Sequence, residues 1–293
     1  MRVAVLGATG FIGRVLVPVL AELHEVVAVS RSGASPAQER VRALAADAND
    51  AAALRRALDG VDVVYHLVHS LGARDFRDRD RLVATTVAAA AERARVSQIV
   101  YLGGLGDHRS DLSSHLRSRA ETAVALSRGA VPVTTLRTAV VVGRGSAGFE
   151  TIVALVDRLP VMLAPTWVST PTQPIALHDV VGYLAGVAGR SDTIGRTFDV
   201  GGPEVLTYRE MIERVGRLRG RHPRILELSL LTPRLSSYWL HLVTPVRARV
   251  ARPLVEGLRN PTVARGHGIR RILPRTLTPF EDAAREALAS PAV

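Results

Sequence analysis

The chain has 293 residues, 47% of them hydrophobic, with no cysteine and a formal charge of +11. All 38 basic residues are arginine, and lysine is absent. These absences exclude Schiff bases, a P-loop lysine, disulfides, thiolate nucleophiles and cysteine-ligated metals; because a guanidinium does not release its proton, acid–base work falls to histidine, tyrosine, carboxylates or the substrate.

The apolar content suits a packed core, and the length suits one large domain with an appendage. No apolar run reaches the ~18 residues of a membrane span. The uncharged stretch 159–177 is broken by Pro160, Pro165, Pro171 and Pro174. The chain starts directly on a strand-like segment, so a leader peptide is not expected and a cytoplasmic location is.

In chain order, residues 2–6 read as a buried strand, 11–23 as a helix and 25–29 as a second strand. A strand at 41–45, a helix at 51–58 and a strand at 61–68 follow. Then come an alanine-rich helix at 79–94, a strand at 98–102, a helix at 116–127 and a strand at 131–136. This alternation predicts an α/β fold, a Rossmann-type doubly wound parallel sheet over residues 1–145. After Gly143 the rhythm loosens, though 177–188 and 207–218 read as helices and 197–200 as a strand. Residues 146–293 are expected to complete the sheet and add a small C-terminal, substrate-side subdomain.

The segment VAVLGATGFIG places Gly7, Gly10 and Gly13 between the first strand and the first helix. Gly7 serves the tight turn, Gly10 lets a pyrophosphate approach the backbone, and Gly13 lets helix and sheet pack closely. With Thr9, Phe11 and Ile12 they form a candidate nucleotide loop, the helix N-terminus offering N–H groups to phosphate. The second strand ends in Ser30, Arg31 and Ser32. A carboxylate there favours NAD; two hydroxyls and a guanidinium suit the 2′-phosphate of NADP, so NADP is expected over NAD. Asp47, after the third strand, is a candidate for the adenine amino group or else part of a helix cap.

Between Arg214 and Arg275, 14 arginines stand against Glu227 and Glu256. Aromatic residues are few there, so a solvated or phosphate-facing surface is expected rather than a nucleic-acid site. His66, His69 and Ser70 cluster near the end of the fourth strand, where His69 and Ser70 should emerge at the carboxyl edge of the sheet. A third ligand at metal-site spacing is missing, so no metal is expected.

Together these segments resemble the short-chain dehydrogenase/reductase superfamily, in its extended and atypical forms, over residues 2 to about 205. VDVVYHLVHS resembles the fourth-strand segment beside the cofactor, which implies contacts from Leu67 and Val68. VTTLRTAVVVG (with Leu136 and Arg137), PIALHDVV (with Asp179) and FDVGGPEVLTYRE match later segments of that superfamily in order. LVHS, YLGGLG and LTPRLSSYW bring the chain nearest to the NmrA-like NAD(P)H-binding proteins.

Members of the superfamily typically carry a serine after the fifth strand and a Tyr-x-x-x-Lys pair on the next helix. Here Leu102, Gly103 and Gly104 end the strand, and His115 and Arg119 align with the pair. None of Tyr65, Tyr101, Tyr183, Tyr208 or Tyr238 has a lysine or arginine four places later. Arg119 is expected to contact the cofactor. His69 and His115 are the candidate proton donors, although a nearby guanidinium makes an imidazole a poor acid.

The resemblance also implies a lid and outer wall from 146–174 and 203–279. The lid would hold Phe149, Leu163, Trp167 and Val168, and the wall Leu231, Leu235, Tyr238, Trp239 and Leu242. Plain core packing explains the same residues. The expected function is an NADP(H)-binding atypical reductase that transfers hydride to a small apolar, aromatic or quinone-like acceptor without the Tyr/Lys pair. The alternatives are a non-catalytic NADP(H)-sensing or assembly protein and a non-redox isomerase or lyase. The expected partner is a small molecule, nucleic acid is disfavoured, and a homodimer is compatible.

Overall fold

Runs such as RVAVL and EVVAVS carry small or β-branched apolar residues at nearly every position, as strands covered on both faces require. The computed structural model describes residues 1–35, 38–106, 112–227 and 256–289. In it these runs form β1 (Arg2–Leu6), β2 (Glu25–Ser30), β3 (Val41–Ala45), β4 (Val63–His66), β5 (Gln98–Gly104), β6 (Val133–Thr138) and β7 (Thr197–Val200). The seven strands are parallel, in the order β3-β2-β1-β4-β5-β6-β7. The order reverses between β1 and β4, and the carboxyl ends of these strands open the crevice in which such sheets bind ligands.

The principal helices are α1 (Gly13–Ala21), α2 (Ala51–Ala57), α3 (Phe76–Arg93), α4 (Ser114–Leu126), α5 (Ala147–Arg158), α6 (Leu177–Gly186), α7 (Tyr208–Leu218), α8 (Gly268–Ile272) and α9 (Phe280–Ala289). One core packs α2, α3 and α4 on one face of the sheet; a second packs α1, α6 and α8 on the other. A third apolar cluster joins α5, α7 and α9 with the strands Val161–Ala164 and Ile175–Ala176.

The lid expected over 146–174 is in large part this third core. Ser146 caps α5 by accepting from the Phe149 N–H (3.5 Å), and Glu150 accepts from the Gly145 N–H (2.9 Å). Phe149, Ile152, Leu155 and Val156 recur at helical spacing and are buried together. Phe149, Trp167 and Val168 therefore pack inside, and Leu163 faces solvent at 46% exposure. Leu231, Leu235, Tyr238, Trp239 and Leu242 lie outside the described residues.

The basic stretch is partly neutralised from within. Arg214 pairs with Glu204, Arg217 with Glu281, and Arg219 and Arg221 with Asp157. Two sequence-marked residues are structural: Arg137 joins β6 to β7 through Asp199 (2.6 Å), and buried Asp179 accepts from the Thr278 N–H (2.8 Å).

Gln98 is fully buried. Its amide donates to Thr134 Oγ1 (2.7 Å) and the Val187 carbonyl (3.1 Å), and its oxygen accepts from the Gly189 N–H (2.8 Å). It thus ties β5 to β6 and to the end of α6. Gln98→Leu strands the Gly189 N–H and is expected to cost about 2–3 kcal/mol, read as a lower urea midpoint at unchanged m-value.

Candidate functional site

β1 leads into α1 through a turn that only glycine permits at two positions. Gly7 has φ +92°, a conformation that L side chains rarely adopt. A Cβ on Gly13 would sit 2.2 Å from the Gly7 carbonyl oxygen, so the helix start is seated directly on the turn. The N–H groups of Gly7 and Ala8 both donate to the Val29 carbonyl (3.0 and 3.1 Å), fixing the turn to β2. Ile12 at the N-cap provides no side-chain acceptor; the Arg14 N–H donates to the Gly10 carbonyl (3.0 Å) and the Val15 and Leu16 N–H groups to the Ile12 carbonyl (3.1 and 2.9 Å), so the end of the helix open to a ligand is the Gly10–Gly13 turn itself. Arg14 donates to the Arg144 carbonyl (2.8 Å) and ties α1 to the loop opposite. A narrow glycine floor beneath an uncapped helix fits a dinucleotide pyrophosphate.

At the far end of β2, the Gly33 N–H donates to the Ser30 carbonyl (3.3 Å) and Gly33 takes φ +68°, closing a turn around Arg31 and Ser32. The Ser30 and Ser32 hydroxyls lie 3.4 Å apart, and Arg31 is exposed. Asp47 Oδ1 accepts from the Asn49 N–H (2.9 Å) and Nδ2 (2.8 Å). Those bonds, with the Arg31 charge adding a smaller pull, hold its pKa below the usual range. Asp50 caps α2 by accepting from Ala52 and Ala53. Ser30, Arg31, Ser32 and Asp47 thus gather at one end of the crevice.

The other end is a pocket of about 310 Å³. Gly7, Gly10, Phe11, Ile12, Gly13 and Leu67 form the wall shared with the nucleotide turn. Leu71, Leu102, Leu116, Val140, Val141 and Leu258 make the remainder largely apolar. His69, His115 and Arg119 are its histidine and arginine members, with Thr138, Ser146, Tyr208 and Thr262 as further polar groups. Thr9 and Val68 do not line this pocket; Thr9 is exposed and Val68 packs against the α2–α4 core.

His115 and Arg119 lie one turn apart on α4. A Cβ on Gly104 would press on Leu116 (3.1 Å) and touch the Arg119 stem (3.7 Å). The glycine that ends β5 therefore lets α4 approach. Among the described residues, the Arg119 guanidinium has no carboxylate partner; the buried Tyr101 hydroxyl lies within its reach, and the Arg119 charge and hydrogen bond partly offset the rise that burial gives that phenol. The same charge acts on three imidazoles. Burial and then Arg119 push His115 down to about 3, and the same two causes in the same order lower buried His66 to about 3. For His69, Arg119 is the main cause of a lowered pKa, followed by burial and His66. His69 is exposed through the mouth of the pocket, where water moderates the effect without changing its sign.

Two positioning residues escaped the sequence reading. Asp80, buried on α3, accepts from the Ser70 N–H (2.7 Å) and the Ser118 hydroxyl (3.0 Å), which joins the His69 loop to α4. Its signal lay in spacing: Phe76, Asp80, Val83, Ala84 and Val87 share one helical stripe. Asn260 Oδ1 accepts from the N–H of Ser113, the N-cap of α4 (3.0 Å), and Glu256 accepts from the Ser114 hydroxyl (3.2 Å). The returning segment thereby fixes the start of the helix that carries His115 and Arg119. No sequence signal marked it.

Residues 7–139 match the profile of a family described as NAD(P)H-binding. Over that span the chain is similar to NAD(P)H-binding domains, and its parallel sheet with helices on both faces is a Rossmann-type α/β fold. The chain is 25% identical over 241 residues to an Arabidopsis thaliana protein named NADH dehydrogenase [ubiquinone] 1 alpha subcomplex subunit 9, mitochondrial. That match covers 76% of this chain and 59% of the plant protein. A Streptomyces griseus (4-alkanoyl-5-oxo-2,5-dihydrofuran-3-yl)methyl phosphate reductase is 27% identical, with 78% of this chain and 77% of that protein covered. The solved NADPH complex of the Escherichia coli NADPH-dependent quinone oxidoreductase QOR2 shares the fold. Its TM-score is 0.75 at 18% identity, covering 96% of this chain and 98% of that one.

The three depressed histidines give a signed pH dependence. Each binds fewer protons in the folded than in the unfolded chain below the unfolded value of 6.5. Stability is then fully present above about pH 6.5 and falls as pH drops below it. Thermal unfolding from about pH 7.5 to about pH 5 should show the decline. His66→Phe should flatten it by up to about 1.4 kcal/mol per pH unit.

Proposed function

We propose that the chain is an NADP(H)-dependent reductase for a small, apolar, quinone-like acceptor, working without a Tyr/Lys pair. The observation that carries this reading is the apolar pocket that opens from the glycine turn and contains His69, His115 and Arg119. NADPH supplies a hydride when bound. Gly7, Thr9, Gly10, Phe11, Ile12 and Gly13 would hold its pyrophosphate, Ser30, Arg31 and Ser32 its 2′-phosphate, and Asp47 the adenine. Leu67 and Val68 would pass beside it.

His69 and His115 then act as neutral donors that orient the acceptor by one N–H each. With Arg119 beside them they are poor acids near neutral pH. An acceptor whose reduced form tolerates negative charge on oxygen needs no protein acid, because water supplies the proton. Catalysis rests on position and on a water-poor, apolar wall. The names of the Streptomyces and E. coli proteins, a reductase and an NADPH-dependent quinone oxidoreductase, support this class. The plant relative, named as a subunit of an NADH dehydrogenase, supports the second reading: a nucleotide-binding assembly protein without turnover.

Stopped-flow absorbance of bound NADPH separates the two. Quinones and enones should oxidise it; tight binding with no oxidation by any quinone, enone or aldehyde favours the assembly reading. His69→Ala and His115→Ala should each lower turnover, and a variant with unchanged turnover removes that residue from the reaction.

Arg31→Glu tests cofactor choice. It is expected to weaken NADPH binding by at least about tenfold while changing NADH binding much less. Equal losses for the two cofactors would place the 2′-phosphate elsewhere.

A further inference from the structure

Arg119 lines the pocket with no carboxylate partner among the described residues, its polar neighbour being the Tyr101 hydroxyl, although the chain pairs many of its other arginines with acids. A cation withdrawn from bulk water is costly unless an anion meets it. No carboxylate of the described residues does so; the groups that feel its charge are the Tyr101 phenol and the imidazoles of His66, His69 and His115, none of them an anion near neutral pH. Among the described residues that place is open to an anion carried by a ligand.

Two ligands could bring it, the cofactor with its phosphates and the substrate. The phosphate cradle is the turn after β1, with Arg31 beyond it at the end of β2. Arg119 stands instead above the end of β5, where Gly104 makes room for its stem. β5 is two strands from β1, roughly 10 Å at ~4.8 Å per strand. Leu116 shares the place of Arg119 over Gly104, and Leu71 and Leu102 line the same pocket, which suits an apolar body.

We infer that Arg119 is the anchor for a substrate that carries an anionic oxygen, a carboxylate or ionised enol, on a flat apolar body. A planar guanidinium takes such a group by paired N–H donors, and His69 and His115 can each add one more. Arg119 is thereby reassigned from cofactor to substrate. The inference deepens the reductase reading by naming the charge of the acceptor, but its test is one of binding.

Calorimetry with naphthoate and its neutral analogue naphthamide, each in the presence of NADP⁺, provides that test. The wild-type protein should bind naphthoate at least about tenfold more tightly than naphthamide. Arg119→Gln should abolish the preference and change NADP⁺ affinity by less than about threefold, and Arg119→Lys, which keeps the charge, should retain part of it. Equal affinity of the wild type for the two probes overturns the inference. So does an Arg119→Gln protein that loses NADP⁺ affinity by as much as it loses naphthoate, since the guanidinium would then serve the cofactor. The wild-type comparison needs no variant to fold. A protein that binds NADPH and oxidises none refutes the reductase reading while leaving the carboxylate preference intact.

Discussion

Arg119 reaches the pocket from the second turn of α4 with no carboxylate of the described residues beside it, and its charge joins burial in keeping the surrounding imidazoles neutral. It is held by its backbone as much as by its side chain: the Tyr101 hydroxyl donates to the Arg119 carbonyl (3.1 Å), and Ser118, the residue before it, donates to Asp80. Displacing α4 would therefore move the charge, His115 and the Asp80 link to the His69 loop together. A lysine at this position could give up its proton to relieve the strain of burial; an arginine cannot. The relief falls on the histidines, which remain neutral.

The scaffold explains why the charge can be kept there. Parallel strands covered on both faces leave their carboxyl ends as the open edge, and β1, β4 and β5 deliver the glycine turn, His69 and Gly104 to that edge. Asp80 from α3 and Asn260 from the returning C-terminal segment then brace α4 at two points. Neither faces the reacting groups in the way a catalytic residue does; each fixes where such groups stand.

The parts legible in the sequence are those with local causes. Strand composition revealed the sheet, and the Gly7–Gly10–Gly13 spacing revealed the turn, because both depend on neighbours in the chain. α5 was hidden by a proline-rich context, although its cap at Ser146 and its apolar stripe were present. Asp80 was hidden inside a run of alternating charges that reads as a solvated face. The contact of residues 256–262 with α4 and the joint effect of Arg119 on His66, His69 and His115 arise from tertiary proximity. No periodicity reports such contacts. Fourth-strand and α4 residues lie about 50 positions apart and meet only because β4 and β5 are adjacent.

The neutral imidazoles and the unreleasable proton of arginine constrain the chemistry jointly. Near neutral pH, neither His69, His115 nor Arg119 can deliver a proton at low cost. His69 nevertheless remains accessible at the mouth of the pocket, so water reaches the polar wall while Leu102, Leu116 and Val141 keep the interior apolar. A reaction that leaves charge on an oxygen is favoured under these conditions, because the guanidinium stabilises that charge and solvent can neutralise it afterwards. A reaction that needs concerted protonation inside the pocket is disfavoured for the same reason. In the proposed reaction, an arginine in place of lysine would favour acceptors by the stability of the anion each becomes.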